Sequence, residues 1–162
     1  MNPPIPPDTP CPHTLVLDME DTLICSTWDR RYGWRHAKRP GADEFLKELS
    51  KYYEIVLFTS NIAGIGDPIM TLLDPQCQAM HRLHRDATRF MNGHHVKDLS
   101  RLNRNMSKII LIDDDPNAAM LQPENAIQVC VTLEPILVRV GSHRTVATDI
   151  TQRSLAHGNA TT

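Results

Sequence analysis

The sequence predicts an α/β fold built around a parallel sheet, and three observations carry this prediction. Short apolar runs at residues 14–17, 54–59 and 109–112 have the length and composition of buried strands. Helix-like segments lie between these runs along the chain, an alternation that favours parallel pairing. Each run also ends in polar side chains, and the carboxyl ends of strands in an open α/β sheet form the edge where ligands bind.

Length and composition limit the class of protein. The 162 residues are enough for one domain with a buried core. The net charge of -2 argues against nucleic acid as the main partner. The four cysteines are far apart and form no CxxC pair, so we expect free thiols. No apolar run reaches the roughly 18 residues that span a membrane. We divide the chain into a proline-rich lead-in at 1–12, a folded domain at 13–131 and a tail at 132–162 that we expect to be poorly ordered.

Apolar spacing and turn residues predict the other elements. Residues 42–53 have the spacing of an amphipathic helix, and Asp67 with Pro68 opens a second helix that runs to residue 73. Glycine in one short connection and Asn92-Gly93 in another favour hairpins. The remaining predictions are β-like segments at 22–28, 34–38, 79–83 and 88–96, a short helix at 116–121 and a last strand at 126–131.

The polar strand ends are candidates for a phosphoryl-transfer site. The residues concerned are Asp18, Glu20, Thr59, Lys97, Asp113 and Asp114. Clustered carboxylates repel one another unless a cation lies among them, and their hard oxygens suit Mg²⁺. A hydroxyl and a lysine beside them could hold phosphate oxygens. The alternative is a polar rim that only caps the sheet.

The first predicted hairpin is basic and aromatic. It carries Trp28 and Trp34 together with five basic residues, which are Arg30, Arg31, Arg35, Lys38 and Arg39. One interpretation is a solvated hairpin in which the tryptophans pack across the strands. The other is a binding surface, because exposed tryptophan and arginine dominate interface hot spots. The residues alone leave both open.

The motifs at the strand ends resemble a known superfamily. The stretches DMEDT from Asp18, FTS with Thr59, VKDLS with Lys97 and LIDDDP with Asp113 and Asp114 resemble the haloacid dehalogenase superfamily, in the branch that contains phosphatases of the RNA polymerase II C-terminal domain. The resemblance extends over residues 12–126. It implies a Rossmann-like parallel sheet with helices on both faces and inserted β-hairpins.

The resemblance also implies roles for individual residues. Asp18 takes the position of the nucleophile and Glu20 that of the general acid and base, while Thr59 and Lys97 complete the catalytic set. Mg²⁺ would be held by Asp18, the backbone of Glu20, Asp113 and Asp114. Glu20 replaces the usual aspartate, and its extra methylene displaces a carboxyl group that must be held tightly. We therefore expect weak or lost activity and a vestigial Mg²⁺ site.

Within this branch, one subfamily is more similar. The stretches GWRHAKRPG and HHVKDLSRLNR resemble the fifty-kilodalton receptor subunit of the mitochondrial presequence translocase. In that family the domain faces the intermembrane space, is tethered by a membrane helix and passes presequence-bearing proteins to the channel subunit. The basic hairpin is the family's docking element for the channel subunit. Arg35 and Lys38 match its basic positions, with Trp28 and Trp34 beside them, which favours the interface interpretation.

The expected function is therefore an import receptor at the mitochondrial inner membrane. The family's transit peptide, membrane helix and C-terminal helix are not recognisable here, and the sequence after residue 127 diverges from the family pattern. The alternative function is a Mg²⁺-dependent protein serine phosphatase that acts through an aspartyl-phosphate on Asp18. A third possibility is a gene fragment without function.

Overall fold

The computed structural model of the chain describes residues 13–129 and, for the backbone alone, 139–140 and 143–144. The predicted lead-in, the last two residues of the predicted final strand and most of the predicted tail lie outside these ranges. The described residues form the strands and α-helices β1 (His13–Leu17), β2 (Ile24–Asp29), β3 (Gly33–Lys38), α1 (Ala42–Leu49), β4 (Tyr53–Phe58), α2 (Ala63–Leu73), β5 (His81–Leu83), β6 (Arg89–Met91), β7 (His94–Val96), β8 (Ile109–Asp113), β9 (Ala126–Gln128), β10 (Arg139–Val140) and β11 (His143–Arg144).

A five-stranded sheet forms the centre of the fold, in the order β5-β4-β1-β8-β9. All four pairings in it are parallel. The central strand β1 is hydrogen-bonded on both sides, with Leu17 opposite Leu57 of β4 and Ile112 of β8. Strands buried on both faces can be apolar throughout, which explains the continuous apolar runs in the sequence. The predicted α/β class is confirmed.

Helices cover both faces of the sheet, with α-helices on one face and short 3-10 helices on the other. On one face α1 and α2 pack on the odd-numbered side chains of β1 and β4, such as Leu15 and Ile55. On the other face Val16, Val56 and Phe58 pack against short 3-10 helices at Leu99–Leu102 and Pro116–Ala119. Alternating side chains of one buried strand thus supply two separate cores.

Several predicted bounds were wrong for identifiable reasons. Helix α1 ends at Leu49, and Tyr53 already belongs to β4. The predicted helix was too long because the apolar ring of Tyr53 continues the helical spacing of apolar residues. Helix α2 begins at Ala63 and not at Asp67, with Pro68 inside the helix on an exposed turn. The segment predicted as a short helix at 116–121 forms only the 3-10 turn Pro116–Ala119. Among the described residues, the last strand of the sheet stops at Gln128.

The two predicted hairpins, β2–β3 and β6–β7, form separate two-stranded antiparallel sheets, and β10 also pairs antiparallel with β11. In β2–β3 the turn places Gly33 at φ 74°, and in β6–β7 Asn92 and Gly93 lie at φ 51° and 85°. The Asn92-Gly93 conformations are the ones that a two-residue hairpin turn requires, whereas β2–β3 has a three-residue loop that is followed by the left-handed Gly33. Within the described part of the chain, none of the helices has the length and apolar character needed to cross a membrane.

A buried ion pair closes the amino-terminal end of the sheet. Glu54 in β4 is 4% exposed and accepts hydrogen bonds from Arg104 at 2.6 and 2.7 Å and from Thr14 at 3.1 Å. His81 Nε2 lies 3.1 Å from the same carboxylate. The hydrogen bonds from the Arg104 guanidinium hold the pKa of Glu54 below its usual range, against the opposing effect of burial.

We predict that Glu54→Gln lowers the free energy of unfolding by about 3 kcal/mol at pH 7, because it leaves the buried Arg104 without its carboxylate. A group whose pKa falls on folding stabilises the fold above its unfolded pKa, and this contribution disappears as the pH drops through its lower folded pKa. The difference between wild type and variant should therefore shrink below about pH 4. Urea denaturation at several pH values measures this difference in the free energy of unfolding. Glu44→Gln, on the exposed side of α1, is the control.

Candidate functional site

The ends of the central strands meet at one edge of the sheet. The Asp18 N–H donates to Ile112 O at 2.9 Å, which extends the pairing of β1 and β8 by one residue. Asp113 is the last residue of β8, and Thr59 directly follows β4 on the other side of β1. The parallel register thus brings three of the predicted site residues to this edge, as the sequence predicts.

A buried lysine bridges two of the carboxylates. Lys97 is 1% exposed, and its Nζ donates to Asp18 Oδ1 and, at 2.6 Å, to Asp113 Oδ2. Its backbone N–H donates to Ala118 O at 2.8 Å, which fixes the segment after β7 against the sheet edge. The ammonium also lies 5.7 Å from the centre of the Phe58 ring, within the range of a cation–π contact.

Burial and mutual attraction act in opposite directions on this cluster. Burial raises the pKa of Asp18 to about 7, and the nearby Asp113 carboxylate adds to this rise while Lys97 opposes it. Burial by itself would lower the pKa of Lys97, but Asp18 and Asp113 outweigh it and the pKa is raised. Lys97 therefore remains an ammonium ion at neutral pH.

Three carboxylates converge on one point. Oxygens of Asp18, Asp113 and Asp114 lie within 4.8 Å of one another. Thr22 Oγ1 donates to Asp114 Oδ1 at 3.4 Å, and the Asp115 N–H donates to Asp113 Oδ1 at 3.0 Å. Burial, followed by repulsion from Asp113, raises the pKa of Asp114. This donor set consists of hard oxygens, which match the preference of Mg²⁺.

Thr59 is held in place by hydrogen bonds to β5 and to the loop that precedes α2. It is 1% exposed, its N–H donates to Leu83 O at 3.0 Å, and its Oγ1 accepts from the Asn61 N–H at 3.1 Å. A side chain on Gly66 would place its Cβ 3.1 Å from Thr59 Cγ2 and 2.9 Å from His84 Cδ2. Glycine at position 66 is therefore needed for α2 to approach the sheet edge this closely.

Glu20 occupies a different environment from the three aspartates. Ser26 Oγ, on β2, donates to Glu20 Oε2, and Asn61 Nδ2, after β4, donates to Glu20 Oε1 at 3.1 Å. Both carboxylate oxygens are thus used in contacts with the hairpin and the loop after β4. Sequence reasoning assigned no role to Ser26 or Asn61, because their distances along the chain from Glu20 match no motif.

The basic hairpin carries an exposed aromatic cluster. Trp28 and Trp34 are cross-strand neighbours whose rings lie edge to face, 5.5 Å apart at 64°. They are 64% and 65% exposed, and Tyr32 at the turn is 62% exposed. The guanidinium groups of Arg31 and Arg35 lie 5.3 and 5.7 Å from the centre of the Tyr32 ring. The tryptophans therefore pack across the strands and remain available for contact, so the two interpretations of the hairpin are compatible.

The pairing register divides the predicted partner-binding residues between two faces. Trp28 pairs with Trp34 and Ile24 with Lys38, so these residues lie on one face of the hairpin. Arg35 pairs with Thr27, one residue away, and therefore lies on the opposite face. Lys38 also donates to Asp43 Oδ1 at 2.7 Å. The structure brings the four residues to one hairpin but not to one surface.

Several curated proteins are similar to this chain. "Mitochondrial import inner membrane translocase subunit TIM50" of Phytophthora infestans is 58% identical over 127 residues, which are 78% of this chain and 31% of that protein. The proteins of the same name from Aspergillus fumigatus and Danio rerio are 53% and 48% identical over 72% and 74% of this chain, and 23% and 31% of those proteins. The chain thus spans about a third or less of each relative, and the predicted resemblance is confirmed.

Solved structures confirm the fold. The RNA polymerase II CTD phosphatase Fcp1 of fission yeast, bound to beryllium fluoride, matches with a TM-score of 0.63 at 21% identity. The match covers 73% of this chain and 41% of the Fcp1 chain. At this identity the likeness concerns the fold, and it agrees with the predicted phosphatase-type architecture.

A family model connects the fold with the sequence motifs. The model described as "NLI interacting factor-like phosphatase" matches residues 13–130, a range that contains the sheet, the carboxylate cluster and both hairpins. The chain therefore belongs to the NLI interacting factor-like phosphatase family.

Proposed function

We propose that this chain is a receptor-like domain of the mitochondrial inner-membrane translocase, which binds the channel subunit and presequence-bearing proteins during import into the matrix. In this proposal the domain faces the intermembrane space. The names of the similar curated proteins support the assignment to the translocase. The family's phosphatase-type fold is then used as a scaffold that displays a binding hairpin.

The observation that carries the proposal is the exposed aromatic and basic surface of the β2–β3 hairpin. Three large aromatic residues, Trp28, Tyr32 and Trp34, are each more than 60% exposed on an element that projects from the sheet. Apolar side chains exposed together at one place mark interaction sites in soluble domains. Tryptophan, tyrosine and arginine are also the residue types enriched in interface hot spots.

Presequences require a second kind of surface. They are basic amphipathic helices, so a receptor for them should offer apolar and acidic groups together. The acidic sheet edge lies at the base of the hairpin, because Glu20 contacts Ser26 of β2. We propose that this edge supplies part of the presequence-binding surface.

We predict that the double charge reversal Arg35→Glu, Lys38→Glu abolishes binding to the channel subunit, because both cations of the proposed docking hairpin become anions. Isothermal titration calorimetry with the soluble part of the channel subunit measures the affinity. Arg35→Glu by itself should already weaken binding at least tenfold, and it leaves the contact between Lys38 and Asp43 intact.

Lys51→Glu is the matched control, since Lys51 is an exposed lysine outside the hairpin. At raised salt concentration, which suppresses general electrostatic attraction between the two proteins, Lys51→Glu should bind the channel subunit like the wild type. Equal affinities for the double variant and the wild type would contradict the docking assignment.

A second function, a Mg²⁺-dependent protein phosphatase, is favoured by the Asp18–Lys97–Asp113 cluster. An oxygen of Asp18 would attack the phosphorus, and the P–O bond to the serine oxygen would break as that oxygen takes up a proton. Water would then hydrolyse the acyl phosphate on Asp18 and release inorganic phosphate. In this proposal Lys97 and Thr59 would hold phosphate oxygens. Glu20, the candidate proton donor, is bonded to Ser26 and Asn61.

We propose Mg²⁺ as the cation of this site, held by the side chains of Asp18, Asp113 and Asp114 and by the backbone of Glu20. When bound, it would neutralise charge that develops on the phosphate group. The convergence of three carboxylates supports this assignment, because they repel one another unless a cation lies among them. In the structure Lys97 already contacts two of them but compensates only one negative charge, which favours a weak Mg²⁺ site.

We predict that Glu20→Asp raises the rate of hydrolysis of a chromogenic aryl phosphate, because it restores the usual residue at the acid-base position. Asp18→Asn should abolish turnover, since it removes the nucleophile. Product absorbance with and without Mg²⁺ measures both effects, and Asp43→Asn, on the exposed side of α1, is the control. If no variant exceeds the background rate, the phosphatase function is excluded and the receptor function remains.

We predict that Mg²⁺ binds the wild type with a dissociation constant in the millimolar range and that Asp114→Asn weakens binding about tenfold, which corresponds to about 1.4 kcal/mol. The physical reason is the loss of one anionic oxygen ligand. The rise of the melting temperature with Mg²⁺ concentration measures the affinity without any substrate. Asp43→Asn is again the control. A melting temperature of the wild type that does not respond to Mg²⁺ would contradict the metal site.

A further inference from the structure

We propose that Glu20 is a positioning residue that ties the β2–β3 hairpin to the sheet edge and fixes the direction in which the hairpin points. Its carboxylate lies between two elements, with Ser26 of β2 on one oxygen and Asn61 of the loop after β4 on the other. The link between this direction and partner binding rests on the function proposed above. The tie itself rests on geometry alone.

The hairpin needs such a tie because it forms a separate two-stranded sheet. At its base, Ile24 is buried in the core and its N–H donates to Met19 O at 3.0 Å, while the Arg39 N–H donates to Leu23 O at 2.8 Å. The Arg39 guanidinium adds a hydrogen bond to Asp21 O at 2.9 Å, and all of these bonds lie at the base of the hairpin. Ser26 lies two residues further along β2 and on the same face as Ile24.

A second link, the salt bridge between Lys38 and Asp43, constrains the tilt less. Its nitrogen–oxygen distance is 2.7 Å, but Asp43 is 63% exposed. Exposed ion pairs contribute little and are weakened by salt. The contacts of Glu20 with Ser26 and Asn61 are part-buried, and hydrogen bonds away from bulk water are electrostatically stronger than exposed ones.

The length of glutamate explains why this residue, and not aspartate, suits the tie. The carboxylate must contact donors on two separate elements at once, at hydrogen-bonding distances of about 2.7 to 3.2 Å. Aspartate is shorter by one carbon–carbon bond, about 1.5 Å. From the same backbone position, its carboxylate would lose at least one of the two contacts. The replacement of the usual aspartate thus gains a structural role while it weakens the catalytic one.

The hydrogen bond between Glu20 and Ser26 continues to His36, on the face of the hairpin that carries the tryptophans. Ser26 Oγ lies 2.7 Å from His36 Nδ1, and His36 pairs with Ser26 across the strands. A serine hydroxyl has a single hydrogen, which goes to the Glu20 carboxylate, so Nδ1 of His36 must donate to Ser26. Ser26 and His36 lie on the same face as Trp28 and Trp34. Glu20 is therefore connected to the face that carries both tryptophans.

Spin-label distances test the tie directly. One nitroxide replaces Arg30 at the exposed hairpin turn and the other replaces Lys51 on the body, in a chain whose four cysteines are changed to alanine. Double electron–electron resonance should give one narrow distance distribution for the parent chain. Glu20→Asp and Ser26→Ala should each broaden it at least twofold. The combination of the two should broaden it no further, because both remove the same tie.

Control variants distinguish the loss of the Glu20 contacts from a general loss of folded structure. Glu20→Gln keeps the side-chain length and can still accept from Asn61 and donate to Ser26, so the distribution should stay narrow. Glu44→Asp makes the same shortening on the exposed side of α1 and should change nothing. Thermal melting of each variant identifies loss of fold. If Glu20→Asp and Ser26→Ala both leave the distribution narrow, the tie is refuted.

Binding to the channel subunit then tests the functional consequence. We expect affinities about five- to tenfold lower for Glu20→Asp and Ser26→Ala, and within about twofold of the wild type for Glu20→Gln. Weaker binding with an unchanged distance distribution would mean that Glu20 contacts the partner directly, which overturns the positioning role. If the wild type does not bind the channel subunit, the proposed function is refuted. The spin-label distances still test whether Glu20 holds the hairpin in one direction.

Discussion

The structure of the sheet edge depends on the ammonium group of Lys97. A buried lysine is stable only beside anions, and the buried aspartates Asp18 and Asp113 are stable only beside a cation. Because these residues lie far apart in the sequence, their mutual contact joins β1, β8 and the segment after β7. Removing Lys97 would leave two buried carboxylates without the cation that contacts both of them.

The two proposed functions use the same edge in different ways. The phosphatase chemistry needs Asp18, a cation and a proton donor that can move to the substrate. The receptor needs a hairpin held in one direction, with Trp28 and Trp34 exposed. Glu20 lies where these requirements meet, and a carboxylate bonded to both Ser26 and Asn61 serves the second requirement better than the first. The proposed receptor function would thus use a phosphatase-type fold as the support of a binding hairpin.

Sequence reasoning was most successful where chemistry is local. Apolar runs predicted the strands, and glycine or Asn-Gly turns predicted both hairpins, because the backbone conformation there depends on a few adjacent residues. It was wrong for the bounds of both α-helices. Tyr53 continued the helical pattern of α1 although it belongs to a strand, and Pro68 is inside α2 although proline usually marks a helix start. In both cases packing against the sheet outweighed local preference.

The sequence by itself determined the α/β class, the family resemblance and the set of polar residues at the strand ends, since these depend on residue order and motif spacing. Only the tertiary structure decided how those residues are partnered. The parallel register placed Lys97 between Asp18 and Asp113, and the hairpin register separated Arg35 from the two tryptophans. The contacts of Glu20 with Ser26 and Asn61 join residues whose proximity no spacing along the chain encodes. Such contacts arise when separate elements pack, so they become visible only in the folded chain.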